Sequence, residues 1–550
     1  MDSSQLTRYR ASHNVTAFYE RQHRGGQQDP TGIREGGRPL FLRQQTLISA
    51  IIPIPIDAPV SVSDTITVSN IRTVITDACN LLLQWIITTK KGPTVTARAL
   101  YIWAMIPATA WNWIQSGVTS ITGTHDSWNW NTRSANALST RNSFIWLTHA
   151  LADLMENAFT GLNASSLRDY EQSVFGWSAT ERDAEVSAVR ALAGWSTYQS
   201  DWTVWLTARI ADGSAQAIAT QPTDVQVPNI NSEIQTDSAT FPTLPNPATW
   251  TPLKIPSKAR QKYATFGWDN VRSTGITEPT EQALDTVADS YYITGSARDT
   301  EMDDVMRLTG TLTDTQKVIA EFWAGGPNTV TPPGMMMWLW QQYISAQTPS
   351  ISKTVFSGLD LAIHLFEGSR LTWRNKARKN QSRPIQEIRI RYAGQTLTSW
   401  DGSTVDGALW TPYQEVDFVT PPFADFPSGH SHFSQAFANT MNAWFGPSIP
   451  STRVTKTTLS MLSPAFVGVA SQTGTLGEYT FPAGKSQIQI GVVPTSNVAL
   501  VWSTWQDIAD SAGVSRLYGG IHCTSANTSS QAIANALHTQ LETVWGFTRA

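Results

Sequence analysis

Apolar residues recur at helical spacing through most of this chain. From about residue 70 to 120 the pattern is helical, and Pro93-Thr94-Val95-Thr96-Ala97-Arg98 reads as a helix start with proline in its first turn. An apolar run then passes through Trp103 and Met105 to Trp113. Amphipathic spacing predicts further helices at 132–162, 179–213, 281–289, 314–324 and 350–377. Another follows Pro427, where Phe433, Phe437, Met441 and Trp444 repeat on one face, and two more are expected at 497–513 and 527–545.

Three stretches lack this period. Residues 1–45 are polar with paired glycines at Gly25-Gly26 and Gly36-Gly37, and Thr46 to Ser69 is rich in Ile, Val, Pro and Ser. Residues 1–69 therefore read as an N-terminal arm or extended lead-in. Seven prolines among polar residues make 222–257 a long surface connection. The Thr-, Val-, Ile- and Gly-rich segment 451–495 reads as a small hairpin-like β insertion. The fold class is mainly α, with 70–550 as a single large helical domain.

Composition narrows the classes. Hydrophobic residues at 41% and aromatics at 10%, with 23 Trp, describe a globular chain packed around large rings. A net charge of −4 points to neither nucleic acid nor an anionic membrane surface. Two cysteines, Cys79 and Cys523, imply no disulfide framework. The N-terminus lacks a basic-then-apolar leader pattern, and no apolar run reaches membrane-spanning length, so the expectation is a soluble, cytoplasmic protein.

Against that near-neutral background, three short segments concentrate anion-gripping chemistry: Lys376-x6-Arg383-Pro384, Pro427-Ser428-Gly429-His430 and Ser515-Arg516-x5-His522. Together they supply one Lys, two Arg, two His and a Ser-Gly turn at a predicted helix start. Such a set can surround one tetrahedral oxyanion: the cations offset its charge, and the Ser428 hydroxyl and Gly429 N–H donate to its oxygens. Two histidines remain, one to bind the central atom and one to move protons.

These segments resemble the signature shared by vanadium-dependent haloperoxidases and the type 2 phosphatidic acid phosphatase superfamily. Gly92–Arg98, Phe322–Gly326 and Thr331-Pro332-Pro333-Gly334 also resemble soluble bacterial haloperoxidase relatives, so the likeness runs over most of 90–545. It implies a helical-bundle haloperoxidase-like fold, vanadate as cofactor (phosphate can occupy the same site), and hydrogen peroxide, halide and an organic acceptor as partners. His522 would be the vanadium ligand; Lys376, Arg383, Ser428, Gly429 and Arg516 would hold the oxygens; His430 would be the acid–base. Trp373 and Phe423 match aromatic positions near the halide site of fungal-type chloroperoxidases. The same resemblance carries two other readings: an acid phosphatase with His522 as nucleophile through a phosphohistidine, and a non-catalytic oxyanion-binding relative.

One departure stands out. Many members place Asp four residues after the ligand histidine, where it orients the imidazole; here that position is Ala526, so another group must hold His522. His432 reads as a neighbouring helix residue, and His13, His23, His125, His149, His364 and His538 have no motif support.

Overall fold

The computed structural model describes residues 67–114, 121–131, 138–221, 234–238, 247–255, 258–469 and 471–549. Residues 1–66 of the predicted lead-in lie outside them, and so does most of the 222–257 connection. The helices dominate, as the apolar period requires. Strands among the described residues form only two-stranded ladders of two to four residues.

The centre is the helix Ile351–Lys379, 29 residues long and buried over most of its length. Ser350 starts it by accepting a hydrogen bond from the Lys353 N–H at 3.2 Å, and Asn380, left-handed at φ 41°, stops it. Helices Pro93–Ile114, Gly429–Phe445 and Thr524–Trp545 pack around it, with Thr331–Gln347 alongside. The closest approach is made at Gly368. A Cβ there would lie 2.2 Å from His432 Nε2, so only glycine lets the Gly429–Phe445 helix sit this near.

Several expected elements differ in their limits. The 70–120 stretch divides into Val68–Thr89 and Pro93–Ile114, so Val68 and Ser69 belong to a helix and not to the lead-in. The 179–213 helix breaks into Ala179–Arg190 and Trp195–Ile210 around Gly194, whose φ of 100° no helix accommodates. Gly295–Thr309 and Pro384–Arg391 form helices that apolar spacing did not signal, because the first is dominated by polar residues and the second is only eight residues long.

The 451–495 insertion is more irregular than one hairpin: Val454–Lys456 pairs with Gln472–Gly474, with two 3-10 turns between them. A second ladder joins Glu478–Phe481 to Val498–Val501. The latter strand occupies residues expected to open a helix at 497. Leu500 is buried while Ala499 and Val501 are exposed, the alternation of a strand, and the helix starts only at Trp505, behind a capping box made by Thr504 and Asp507.

The Pro-rich connection is not surface throughout. Trp250 is 2% exposed, and its N–H donates to the Asn380 carbonyl at 2.8 Å. The Ser382 N–H returns a bond to the Ala248 carbonyl at 2.9 Å, which pins the loop between Lys376 and Arg383. No described helix is long and apolar enough to cross a membrane.

Candidate active site

Each of the three sequence segments is placed by a helix end. Lys376 lies in the last turn of Ile351–Lys379. Arg383 caps the N-terminus of Pro384–Arg391, Ser428 caps Gly429–Phe445, and Cys523, directly after His522, caps Thr524–Trp545. Three helix N-termini, each with a partial positive charge, thus begin at or directly after these residues. The Ser428 N–H donates to the Ala526 carbonyl at 3.0 Å and joins two of them directly. Arg516 arrives from the last turn of Trp505–Tyr518, and its own carbonyl accepts the Ile521 N–H at 3.1 Å, which turns His522 back toward it.

The cations are buried. Lys376 is 0%, Arg516 1% and Arg383 2% exposed. The Lys376 ammonium donates to the Ala424 and Asp425 carbonyls at 2.7 and 2.9 Å, leaving one of its three hydrogens over. Arg383 donates to the Phe423 carbonyl at 2.7 Å and the Ile521 carbonyl at 2.9 Å, and its Nη1 lies 3.2 Å from His522 Nε2. Arg516 donates to the Trp323 carbonyl at 3.0 Å. Arg383 Nη2 and Arg516 Nε have no hydrogen-bond partner among the described residues.

Their crowding shows in their acidities. Burial and the Arg383 charge push Lys376 well below its ordinary value, and the same two causes bring Arg516 down to about 9. Burial lowers Arg383 to about 10, against the opposing pull of Asp425. Like charges packed out of water favour any anion that can sit between them.

The structure supplies the group that holds His522. Asp425 Oδ1 lies 2.5 Å from His522 Nδ1, so Nδ1 carries the proton and Nε2 keeps its lone pair. The other Asp425 oxygen accepts from Arg298 at 2.9 Å, and Arg298 is tied in turn to Glu387 at 2.9 Å and to the Ser382 carbonyl at 3.1 Å. Burial would raise the Asp425 carboxyl, but Arg298, His522 and Arg383 outweigh it and hold it well below the usual carboxylate range. Burial and Arg383 push His522 down to about 3 despite Asp425, which keeps the imidazole neutral. Sequence reasoning missed both partners. Asp425 had one signal, a lone acid in the apolar run Pro421-Pro422-Phe423-Ala424-Asp425-Phe426 beside the Pro-Ser-Gly-His segment. Arg298 had none.

His430 is half-buried, with Nε2 3.1 Å from the Ala324 carbonyl. Burial comes first, then the Arg516 charge, in holding it well below its ordinary value. Ser428 accepts from the Ser431 N–H at 3.4 Å and from the Ser431 hydroxyl at 2.9 Å, so it is a helix cap whatever else it does.

A cavity of about 200 Å3 reaches His430, His522 and Gly429. Trp373, Phe423, Phe418 and Phe433 also line it. The Trp373 and Phe423 rings stand 4.8 Å apart, and Lys376 Nζ lies 5.8 and 5.1 Å from their centres. The arrangement is an apolar opening that ends on neutral imidazoles with buried cations packed against them. His432 is not part of it: it is 0% exposed and faces Gly368.

Residues 356–544 match the family model of the VCPO second helical-bundle domain. No curated protein matches the chain. Among solved structures the chain is similar to a holo-type bacterial vanadium-dependent chloroperoxidase, with a TM-score of 0.57 at 14% identity, covering 82% of this chain and 93% of that one. A bacterial vanadium-dependent iodoperoxidase is similar at a TM-score of 0.57 and 16% identity, covering 86% of this chain and 96% of that one.

Proposed function

We propose, for a chain that has the vanadium-haloperoxidase fold and carries the VCPO second helical-bundle domain over 356–544, that it binds vanadate and oxidises halide with hydrogen peroxide. The observation that carries this reading is the line Arg298–Asp425–His522. It fixes a neutral imidazole whose Nε2 lies 3.2 Å from Arg383 Nη1, while Arg383 Nη2 and Arg516 Nε have no hydrogen-bond partner among the described residues. Those unpartnered atoms, the spare Lys376 hydrogen and the Gly429 N–H at a helix start fit a tetrahedral oxyanion. His522 Nε2 would be the ligand, and Lys376, Arg383, Ser428, Gly429 and Arg516 would hold the oxygens. Bound there, vanadate would supply a Lewis-acidic centre that activates hydrogen peroxide toward halide.

The chain's own residues account for the rest. With Nε2–H given to the Ala324 carbonyl, His430 keeps its lone pair on Nδ1, the atom that would take a proton from incoming peroxide. Asp425 keeps the proton of His522 on Nδ1 and so keeps Nε2 available. Trp373 and Phe423 line the opening with apolar surface, which favours halide and excludes water. That wall supports the peroxidase reading over a phosphatase with His522 as nucleophile.

The test is bromination of a dimedone-type probe by the purified protein with hydrogen peroxide and bromide, with and without orthovanadate. Vanadate-dependent bromination is expected, and the chloride arm reads the contribution of Trp373 and Phe423. Absence of bromination, with aryl-phosphate hydrolysis that vanadate blocks, would transfer the site to phosphoryl chemistry.

A further inference from the structure

On the same two helices, but away from the ends that carry Lys376 and follow His522, lies a second cluster of ligating side chains. His364 is twelve residues before Lys376 on Ile351–Lys379, about 18 Å along the helix axis. His538 and Glu542 lie one turn apart on Thr524–Trp545. We propose that His364 Nε2, His538 Nδ1 and a Glu542 carboxylate oxygen form a site for a divalent transition cation of the Zn2+ type.

The geometry starts from His364, which is 1% exposed. Its Nδ1 lies 2.8 Å from the Asp360 carbonyl oxygen and 3.0 Å from Asp360 Oδ1, so Nδ1 is the donor on that side and Nε2 is the ring nitrogen turned toward His538. Asp360 is itself fixed, because its Oδ2 accepts from Trp444 Nε1 at 2.6 Å and from Arg549 at 3.1 Å. A backbone carbonyl that accepts from one ring nitrogen, with a carboxylate close by, orients a histidine whose other nitrogen faces a ligand cluster.

His364 Nε2 faces His538 Nδ1 at 2.9 Å, and Glu542 Oε1 lies 4.0 Å from that same nitrogen. The three ligand atoms fall within 4.8 Å of one another. A tetrahedral ion with ligands at about 2.0–2.2 Å holds them about 3.3 Å apart. His538 and Glu542, with side chains 22% and 29% exposed, have room to make that adjustment, and water fills the fourth position. Two imidazoles and one carboxylate suit Zn2+ better than Mg2+ or Ca2+, which prefer oxygen-rich sites. Arg549 now bonds both Glu542 oxygens and Asp360, so it competes with the cation for the carboxylate.

The experiment is calorimetric titration of chelator-stripped, full-length protein with Zn2+ alone. One Zn2+ per chain is expected, lost in His538→Ala, weakened about tenfold or more in Asp360→Asn, and tightened in Arg549→Ala. Circular dichroism checks that His538→Ala is folded, and its halogenation activity serves as a second control because His538 lies outside the anion site. No Zn2+ uptake by the wild-type protein would overturn the site. So would uptake unchanged in His538→Ala, including uptake that disappears instead in His522→Ala, since the ion would then sit in the anion pocket.

Discussion

Asp425 touches no substrate position, yet the chemistry proposed for His522 depends on it. Without the carboxylate the imidazole is free to turn, or to carry its proton on Nε2, and either change removes the lone pair from the anion site. Asp425→Asn keeps the volume and offers Nδ1 an amide oxygen, but it loses the charge that Arg298 balances. Because Arg298 retains Glu387, the variant is expected to fold, with a loss of about 1–3 kcal/mol in stability. Its vanadate affinity should fall about 10–100-fold. Equilibrium titration with orthovanadate, alongside denaturant unfolding, reads both quantities. An affinity equal to wild type would show that a different group orients His522.

At the level of helices, the crossing at Gly368 decides how closely the lysine-bearing and histidine-bearing segments can approach. A methyl group there would lie 2.2 and 2.3 Å from His432 Nε2 and Cδ2. Gly368→Ala should therefore cost about 1–3 kcal/mol by overpacking. His432 has no hydrogen-bond partner among the described residues, so adding His432→Ala should recover part of that loss. Denaturant melts of the two single variants and the double variant give the coupling; strictly additive losses would mean the clash is relieved elsewhere.

The same scale shows what could be read from sequence. The placement of Lys376, Arg383, Ser428, Gly429, Arg516 and His522 near helix ends is legible because short motifs with Pro, Ser and Gly punctuate the apolar period there. The long central helix was legible because its apolar period persists from Ile351 to Trp373, about six turns. Asp425 and Arg298 were not, since their partnership spans 127 residues and exists only in the folded chain. The strand at Val498–Val501 is not distinguishable from helix in sequence because a short apolar run has no period of its own, and only its ladder with Glu478–Phe481 decides the matter.

For the molecule as a whole, buried neutral histidines set the response to acid. His432 is pushed down to about 3, by burial first and by the nearby His364 charge second. In the unfolded chain it titrates near 6.5. Between those values the unfolded state binds one more proton than the folded state, so this group destabilises the fold as pH falls from about 6.5 toward 3. The slope is at most about 1.4 kcal/mol per pH unit. Comparing stability against pH for wild type and His432→Ala isolates the group: the difference should grow toward acid, and a pH-independent offset would refute the assignment. Asp425 bears on how such proteins are found. The carboxylate that holds His522 comes from 97 residues upstream, within Asp425-Phe426-Pro427-Ser428-Gly429-His430. A pattern search demanding an acid one turn after the histidine would discard this chain. One built on Asp-x-Pro-Ser-Gly-His would retrieve it, along with any relatives whose histidine is anchored by the preceding loop.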